Sequence, residues 1–235
     1  SGGTVLRCYI GGNYTTGSLS MVADTWYHVA VTRTSGTLQN YINAATDGAA
    51  VAAGASITGS NNFSIGNGAD YTSENMDGKI ADVKVFDVAL SAANIKELYG
   101  DSKVIIPSNV SQTNLKCWLP MSEGAGSIAY DGSGYGRHGT YTGTSFLTGQ
   151  TGCPQLITGY NKPMWFSNAG SDYVQVASDG RDTFANQSYT VAGWLYVPDG
   201  AGFGGERVIF SYDYTSHVSP YYSIQIRLDS GGDCV

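Results

Sequence analysis

Alternating apolar and polar positions dominate this chain and predict a fold built from strands. In residues 26–33 the side chains of Tyr27, Val29 and Val31 fall on one face, which is the two-residue period of a half-buried strand. Residues 38–43 alternate in the same way, and the turn at Thr34-Ser35-Gly36 between the two runs predicts a β-hairpin. Further strands are predicted in four runs: 80–86, with Ala81, Val83 and Val85 on one face, and then 173–176, 189–197 and 222–228.

One segment has helical rather than alternating spacing. Residues 91–99 are predicted to form a short helix, with Ser91 as the N-cap and with Leu90, Ile95, Leu98 and Tyr99 as its apolar face. Gly100 is a typical helix end. Because so short a helix is unstable alone, we expect it to pack on the sheets. The polar connector 101–112 follows, and its apolar triplet at 104–106 is predicted to dock on the fold.

Composition agrees with an all-β fold. The chain has 235 residues, of which only 13% are charged, with 32 glycines and 17 tyrosines. Sparse charge with many turn formers and tyrosines suits short strands joined by tight turns. The sequence therefore predicts one large antiparallel sandwich of two sheets with a single short helix.

Net charge narrows the classes of partner. The formal net charge is −7 at pH 7, and no run of Lys or Arg is present. We therefore predict that the protein binds neither nucleic acid nor anionic membranes. No apolar run approaches the ~20 residues of a membrane helix, so no membrane insertion is predicted. The absence of an initiator Met and of a signal pattern at Ser1 predicts a processed N-terminus or a piece of a longer chain.

Several motifs point together to one family. Residues 25–33 read T-W-Y-H-V-A-V-T-R, residues 77–86 read D-G-K-I-A-D-V-K-V-F, and residues 190–194 read T-V-A-G-W. Residues 118–124 and 131–139 are similar to the opening of such a domain, and residues 89–99 to its end. Together they resemble laminin-G-like domains with the concanavalin A-like jelly roll, and this resemblance implies a two-sheet jelly-roll sandwich.

The motifs stand in an unusual order, because the segment that resembles the domain's end precedes the one that resembles its opening. Residues 1–100 are therefore predicted to be the C-terminal half of the sandwich, 101–112 a connector, and 113–235 the N-terminal half. The halves either pair within one chain, as in a circular permutant, or pair between neighbours. We favour pairing between neighbours, because a head-to-tail contact that does not close builds a filament or array.

This order leads to the predicted function. We expect a non-catalytic extracellular module, structural or adhesive, that binds copies of itself head to tail or in a tandem array. The alternative is a calcium-assisted carbohydrate-binding module, because tyrosines and asparagines cluster in two loop regions and suit stacking on sugars. The residues predicted to contact a glycan or a sister subunit are Tyr212, Tyr214, Tyr221, Asn67 and Tyr71.

The resemblance also implies a calcium site. Related jelly rolls hold Ca²⁺ between the opening Asp loop and an acidic position of a late strand, which here are Asp131 and Asp82. Backbone carbonyls near His138 would complete the shell of oxygen ligands that this cation needs. The alternative is that Asp131 caps its own turn and Asp82 faces solvent.

Catalysis has little support in the sequence. Glucanases of this superfamily carry closely alternating Glu and Asp on one strand, and no such run occurs here. The glutamates are scattered at 74, 97, 123 and 206, although two carboxylates could still meet in space. His28 lies within a strand alternation, which favours a core or cross-strand role over that of a base. Trp26 and Trp194 are interpreted as core residues for the same reason.

Four cysteines and four sequons bear on the compartment. An even number of cysteines without a C-x-x-C pair favours disulfides and an oxidising compartment, and of the three possible pairings we favour Cys8–Cys234 with Cys117–Cys153. The alternative is four buried thiols. The candidate glycosylation sites, which weakly favour an extracellular surface, are Asn13, Asn62, Asn109 and Asn186.

Overall fold

The protein is a sandwich of two antiparallel sheets, seen in a computed structural model that describes residues 4–54, 62–68, 74–146, 163–167, 170–177, 188–198, 206–212 and 224–229. The predicted all-β class is confirmed, since sixteen strands and one α-helix occur in these residues. No helix in the described ranges is long and apolar enough to cross a membrane.

Sheet 1 contains eight strands in the order β2-β1-β16-β15-β6-β13-β10-β9. Their bounds are β1 Val5–Ile10, β2 Asn13–Tyr14, β6 Phe63–Ile65, β9 Ile128–Ala129, β10 Gly139–Thr142, β13 Tyr173–Val176, β15 Arg207–Tyr212 and β16 Ile224–Asp229. In β1 the inward side chains Leu6, Cys8 and Ile10 are buried, as a half-buried strand requires.

Sheet 2 contains eight strands. Seven follow the order β11-β12-β7-β14-β3-β4-β5, and the eighth, β8, pairs with β7 on the same edge as β12. Their bounds are β3 Thr25–Thr34, β4 Thr37–Ile42, β5 Ala45–Ala52, β7 Gly78–Phe86, β8 Leu115–Leu119, β11 Ser145–Phe146, β12 Met164–Phe166 and β14 Tyr189–Val197. The predicted β3–β4 hairpin is confirmed, with Ser35 (φ 46°) and Gly36 (φ 83°) as the two turn residues in the left-handed region.

Strands from the segment 1–100 and strands from the segment 113–235 are interleaved in both sheets. In sheet 2, β14 lies between β7 and β3 and pairs with both. In sheet 1, β16 lies between β1 and β15, and β13 pairs with β6. The segments 1–100 and 113–235 therefore share one core, which contains Leu6, Val31, Leu195 and Ile226.

The face predicted for β7 is wrong at one position. Val83 and Val85 point into the main core as expected, but Ile80 joins them, and Ala81 lies on the outer face with Trp194. The cause is a β-bulge, since the pairing with β14 shifts between Ala192 and Trp194 and Asp82 has a φ of 56°. The extra residue reverses the alternation, which the apolar pattern did not reveal.

The helix and the connector cover part of the outer face of sheet 2. Helix α1 spans Ala92–Gly100, and the side chains of Ser91 and Asn94 form a capping box at its start. Ile95 and Leu98 are buried against Ala30, Ala192 and Phe86 of the sheet. Val104, Ile105 and Ile106 of the connector pack on the same cluster. A 3₁₀ turn, Gln112–Asn114, then leads into β8.

Candidate ligand face

Four side chains form a row across the outer face of sheet 2, beyond the edge of the helix. Trp165 on β12 pairs with Lys79 on β7, Lys79 pairs with Tyr196 on β14, and Tyr196 pairs with Trp26 on β3. We call these four residues the aromatic row. Since neighbouring strands lie about 4.8 Å apart, the row is about 14 Å long.

The aromatic row is held together by ring and cation contacts. The Trp26 and Tyr196 rings have centroids 5.4 Å apart at an interplanar angle of 51°. The buried Nζ of Lys79 lies 3.9 Å from the centroid of Tyr196 and 5.9 Å from that of Trp165. The three rings are only half-buried, so they form a partly exposed aromatic surface with the ammonium of Lys79 between Tyr196 and Trp165.

The Tyr196 hydroxyl fixes the position of an inner member of this row. It donates a hydrogen bond of 2.8 Å to Asp24 Oδ1. That bond, followed by partial burial and the nearby charge of Asp24, raises the pKa of Tyr196. The phenol therefore stays neutral and keeps its ring in a fixed orientation at neutral pH.

A second row lies next to the first, between it and the helix. Ala81, Trp194 and His28 are cross-strand neighbours on β7, β14 and β3. Tyr99, at the end of α1, covers them with its ring centroid 5.9 Å from Trp194 and 6.2 Å from His28. The face of the Tyr99 ring that meets Trp194 and His28 is buried, while 38% of the residue as a whole is exposed.

Three polar atoms in these rows have unmet hydrogen-bonding capacity. The indole Nε1 atoms of Trp26 and Trp194 and the Nδ1 atom of His28 are buried, and no described residue hydrogen-bonds to them. Buried donors are normally satisfied by protein, water or ligand, so unmet donors mark a place where a partner is expected.

His28 is neutral in this site. Burial first, and the nearby charge of Lys84 second, lower its pKa to about 3. An imidazole with so low a pKa binds a proton poorly at neutral pH, so it is a weak general base. The predicted cross-strand role of His28 agrees with this position.

The residues predicted as calcium ligands have other roles. Asp131 accepts four hydrogen bonds, from the backbone N–H groups of Trp118, Ser133 and Arg137 and from the Ser133 hydroxyl. Its own backbone N–H donates to His138 Nδ1 over 2.9 Å. With its lone pairs used in this way, Asp131 caps its own turn, which was the alternative prediction.

Asp82 is not available as a calcium ligand either. It is buried rather than solvent-facing, accepts a 2.8 Å hydrogen bond from Trp118 Nε1 and forms an ion pair with Lys84. Among the described residues no three His, Cys, Asp or Glu side chains are placed to hold a metal ion. The arrangement of Asp82, Asp131 and His138 therefore does not fit Ca²⁺.

The predicted glycan contacts divide into buried and undescribed residues. Tyr212 and Asn67, predicted to contact a glycan or a sister subunit, are 7% and 9% exposed and so present little surface to either. Tyr212 belongs to the main core. Tyr71, Tyr214 and Tyr221 lie outside the described residues.

The cysteine and sequon predictions are only partly within the described ranges. Cys8 and Cys117 are buried thiols without a disulfide among the described residues, and Cys153 and Cys234 lie outside them, so both pairings stay predictions. Burial raises the pKa of Cys8 to about 12, which makes this thiol unreactive at neutral pH. Of the sequon asparagines, Asn13 and Asn109 are exposed, Asn62 is half-buried, and Asn186 lies outside the described residues.

Two of the scattered glutamates do meet in space. Glu74 and Glu206 lie within hydrogen-bonding reach of each other on the outer face of sheet 1. Paired carboxyl groups of glycosidases stand about 5 Å or more apart, so this pair is too close to hold a sugar bond between its members.

The aromatic row was missed because Trp26 was interpreted as a core residue. The structure places Trp26 half-buried on the outer face, beside the buried pair Ala81 and Trp194 and apart from the main core. The strand alternation contained a signal, since Tyr27 and Val29 point inward and their neighbours must point outward. The alternation did not show that β12, β7, β14 and β3 pair side by side.

Comparison with known proteins adds one match. No curated protein and no solved structure matches this chain. Residues 1–96, which contain β1 to β7 and most of α1, match a family model. Its description is "Concanavalin A-like lectin/glucanases superfamily", so the resemblance seen in the sequence motifs is confirmed over residues 1–96.

Proposed function

We propose that this protein is a non-catalytic carbohydrate-binding module that holds an extended glycan along the aromatic row. The family match indicates a lectin-like or adhesive module, and such domains are typically non-catalytic and usually extracellular. The observation that supports a glycan ligand is the partly exposed line of Trp165, Tyr196 and Trp26 across three strands of one sheet face.

The chemistry of the row suits a sugar chain. Aromatic faces attract the apolar C–H faces of sugar rings, and a line of three faces suits successive units of one chain. Because two of the three rings come from indoles, the surface is large and rigid, which limits the entropy lost on binding.

Self-association, the first prediction from the sequence, has less support. Head-to-tail assembly was expected because the segment that resembles the domain's end precedes the one that resembles its opening. Strands of both segments pair within one chain in the described residues, so these two sheets form without a neighbour's strand. Calcium assistance is omitted from the proposal because Asp131 has no lone pair left for the cation.

Binding to immobilised polysaccharides and a glycan array tests the proposal. We expect the wild-type protein to bind, and Trp165→Ala and Trp26→Ala each to lower affinity about tenfold, since the loss of one stacking contact is worth about 1.4 kcal/mol. Tyr130→Ala is the matched control, because Tyr130 is an exposed aromatic residue away from the row. Its affinity should equal that of the wild type.

Two outcomes would contradict the proposal. One is the absence of binding to every glycan, and the other is binding that both tryptophan variants retain in full while their thermal unfolding matches the wild type. A parallel series with a chelator is expected to give unchanged affinity. Light scattering of the same samples shows whether assembly, rather than glycan binding, is the main activity.

A further inference from the structure

The segment 74–77, which leads into β7, lies alongside β15 of sheet 1 and hydrogen-bonds to it. The backbone N–H of Val208 donates to the Glu74 carbonyl over 2.9 Å. The side chain of Glu74 lies within hydrogen-bonding reach of Glu206, which immediately precedes β15. Arg227 of β16 forms an ion pair with the same Glu206. Two acids therefore form part of the contact between this segment and the sheet.

The charges around this contact leave Glu74 without a cation of its own. The charged groups of the described residues on this face are Glu74, Asp77, Glu206, Asp229, Arg7, Arg207 and Arg227, and the ring of Tyr9 lies under Arg227. Arg7 pairs with Asp229, Arg227 pairs with Glu206, and Arg207 interacts with Asp77. This face therefore carries four carboxyl groups and three guanidinium groups. The charge of Arg227 partly favours ionisation of Glu74, but Arg227 is already paired with Glu206.

Burial disfavours the ionised form of the Glu74 carboxyl group. Glu74 Oε2 is buried, and no described residue donates a hydrogen bond to it. Burial first, and then the charge and hydrogen bond of Glu206, raise the pKa of Glu74 to about 7. A proton shared between the two carboxyl groups resolves the repulsion, as in other close carboxyl pairs.

We propose that Glu74 and Glu206 form a pH-sensitive latch in which one shared proton holds the segment 74–77 against β15. When the carboxyl group of Glu74 releases this proton to water, two carboxylates face each other and the segment separates from the strand. In the folded protein the pKa of Glu74 is raised above the ordinary glutamate value of about 4.3. The shared proton therefore stabilises the contact fully below about pH 4.3, and this stabilisation is lost as pH rises through about 7.

Hydrogen exchange tests the latch directly, without any ligand. The reporters are the amide of Val208, bonded to Glu74, and the amide of Met76, which donates to the Gly66 carbonyl over 2.8 Å. We expect their protection factors, corrected for intrinsic rates, to be at least about tenfold lower at pH 7.5 than at pH 5. Equal protection at the two pH values in the wild type would overturn the proposal.

The variant Glu74→Gln removes the titration and keeps a donor toward Glu206. Its protection should not change between pH 5 and pH 7.5. Glu97→Gln is the matched control, because Glu97 lies on α1, where it accepts a hydrogen bond from Ser108, and it should retain the wild-type pH dependence. The same pH-dependent loss of protection in Glu74→Gln as in the wild type would contradict the latch.

A carbon-13 titration of the glutamate carboxyl groups in the wild-type protein requires no variant to fold. The latch predicts that the Glu74 carboxyl carbon titrates with a midpoint near 7. Titration of every glutamate near the ordinary value of about 4.3 would overturn the proposal.

Discussion

The imidazole ring of His28 packs edge-to-face against the indole ring of Trp194, with centroids 5.2 Å apart across the β3–β14 pair. Tyr99 lies over both rings, and the charge of Lys84 is close to the imidazole. His28 can therefore acquire a proton only at the cost of placing a second positive charge in a buried aromatic site.

Acid should destabilise the protein through His28. Its pKa is lowered to about 3, so the stability that comes from a neutral imidazole is complete above its unfolded pKa of about 6.5 and is lost as pH falls toward 3. Between pH 7 and pH 4.5 this loss should reach about 2 kcal/mol in urea unfolding. The variant His28→Gln should lack this part of the pH dependence.

His138→Gln is the control for this measurement. His138 is exposed in the turn that Asp131 caps, so its replacement should not remove the loss of stability in acid that comes from His28. If the free energy of unfolding changed with pH in the same way for wild type and His28→Gln, the buried imidazole would not be the cause of the acid destabilisation.

Replacing one member of the buried Asp82–Lys84 pair should destabilise the protein more than replacing both members. Asp82→Asn leaves the buried Lys84 ammonium without its counter-charge, and we expect a loss of about 3 kcal/mol in the free energy of unfolding. The double variant Asp82→Asn with Lys84→Met should be more stable than Asp82→Asn alone, because no unpaired charge is left.

A less buried pair for comparison is Lys116–Asp87, with an N–O distance of 3.0 Å and both side chains 20% exposed. Asp87→Asn should cost less than about 1 kcal/mol. If Asp82→Asn cost no more than Asp87→Asn, burial would not be what makes the first pair important.

Gly78 should not tolerate a side chain. It has a φ of 147°, and a Cβ atom built on it would lie 2.3 Å from the Tyr196 carbonyl oxygen. We expect Gly78→Ala to cost more than about 3 kcal/mol, since the contact is with backbone that cannot move away. Gly12, with a φ of 85° and open space around it, is the matched site where Ala should cost about 1 kcal/mol from backbone strain alone. Similar unfolding midpoints for the two variants would contradict the steric argument.

The capping box should contribute modestly to stability. Ser91→Ala removes the acceptor for the Asn94 backbone N–H, and we expect a loss of about 1 kcal/mol, or about 3 °C in the unfolding midpoint. Ser108→Ala is the control, because Ser108 is exposed and contacts the helix through its backbone groups. Equal midpoints for the two variants would mean that the cap is dispensable.

Local features were predicted accurately because their causes lie within a few residues. The β3–β4 hairpin follows from Ser35 and Gly36, which accept the left-handed backbone of a tight turn. The helix start at Ser91 follows from a side chain that can satisfy a nearby amide. Both the hairpin turn and the helix start are determined by residues that lie within the turn or the cap.

Features that depend on pairing between distant strands were predicted less well. Asp82 looked like an ordinary strand residue, and only its pairing with β14 and β8 shows the bulge that places Ala81 on the outer face. Asp131 and Asp82 were grouped by resemblance to a calcium site, although each has hydrogen-bond partners that satisfy its charge locally.

Apolar periodicity, turn residues and family motifs were enough to establish a two-sheet sandwich with a capped helix, because hydrophobic burial acts on every residue according to its own type. Which side chains become neighbours across strands depends on register and on strand order, and these are properties of the assembled sheets. For that reason the line formed by Trp165, Lys79, Tyr196 and Trp26, and the meeting of Glu74 with Glu206, emerge only when the chain is folded.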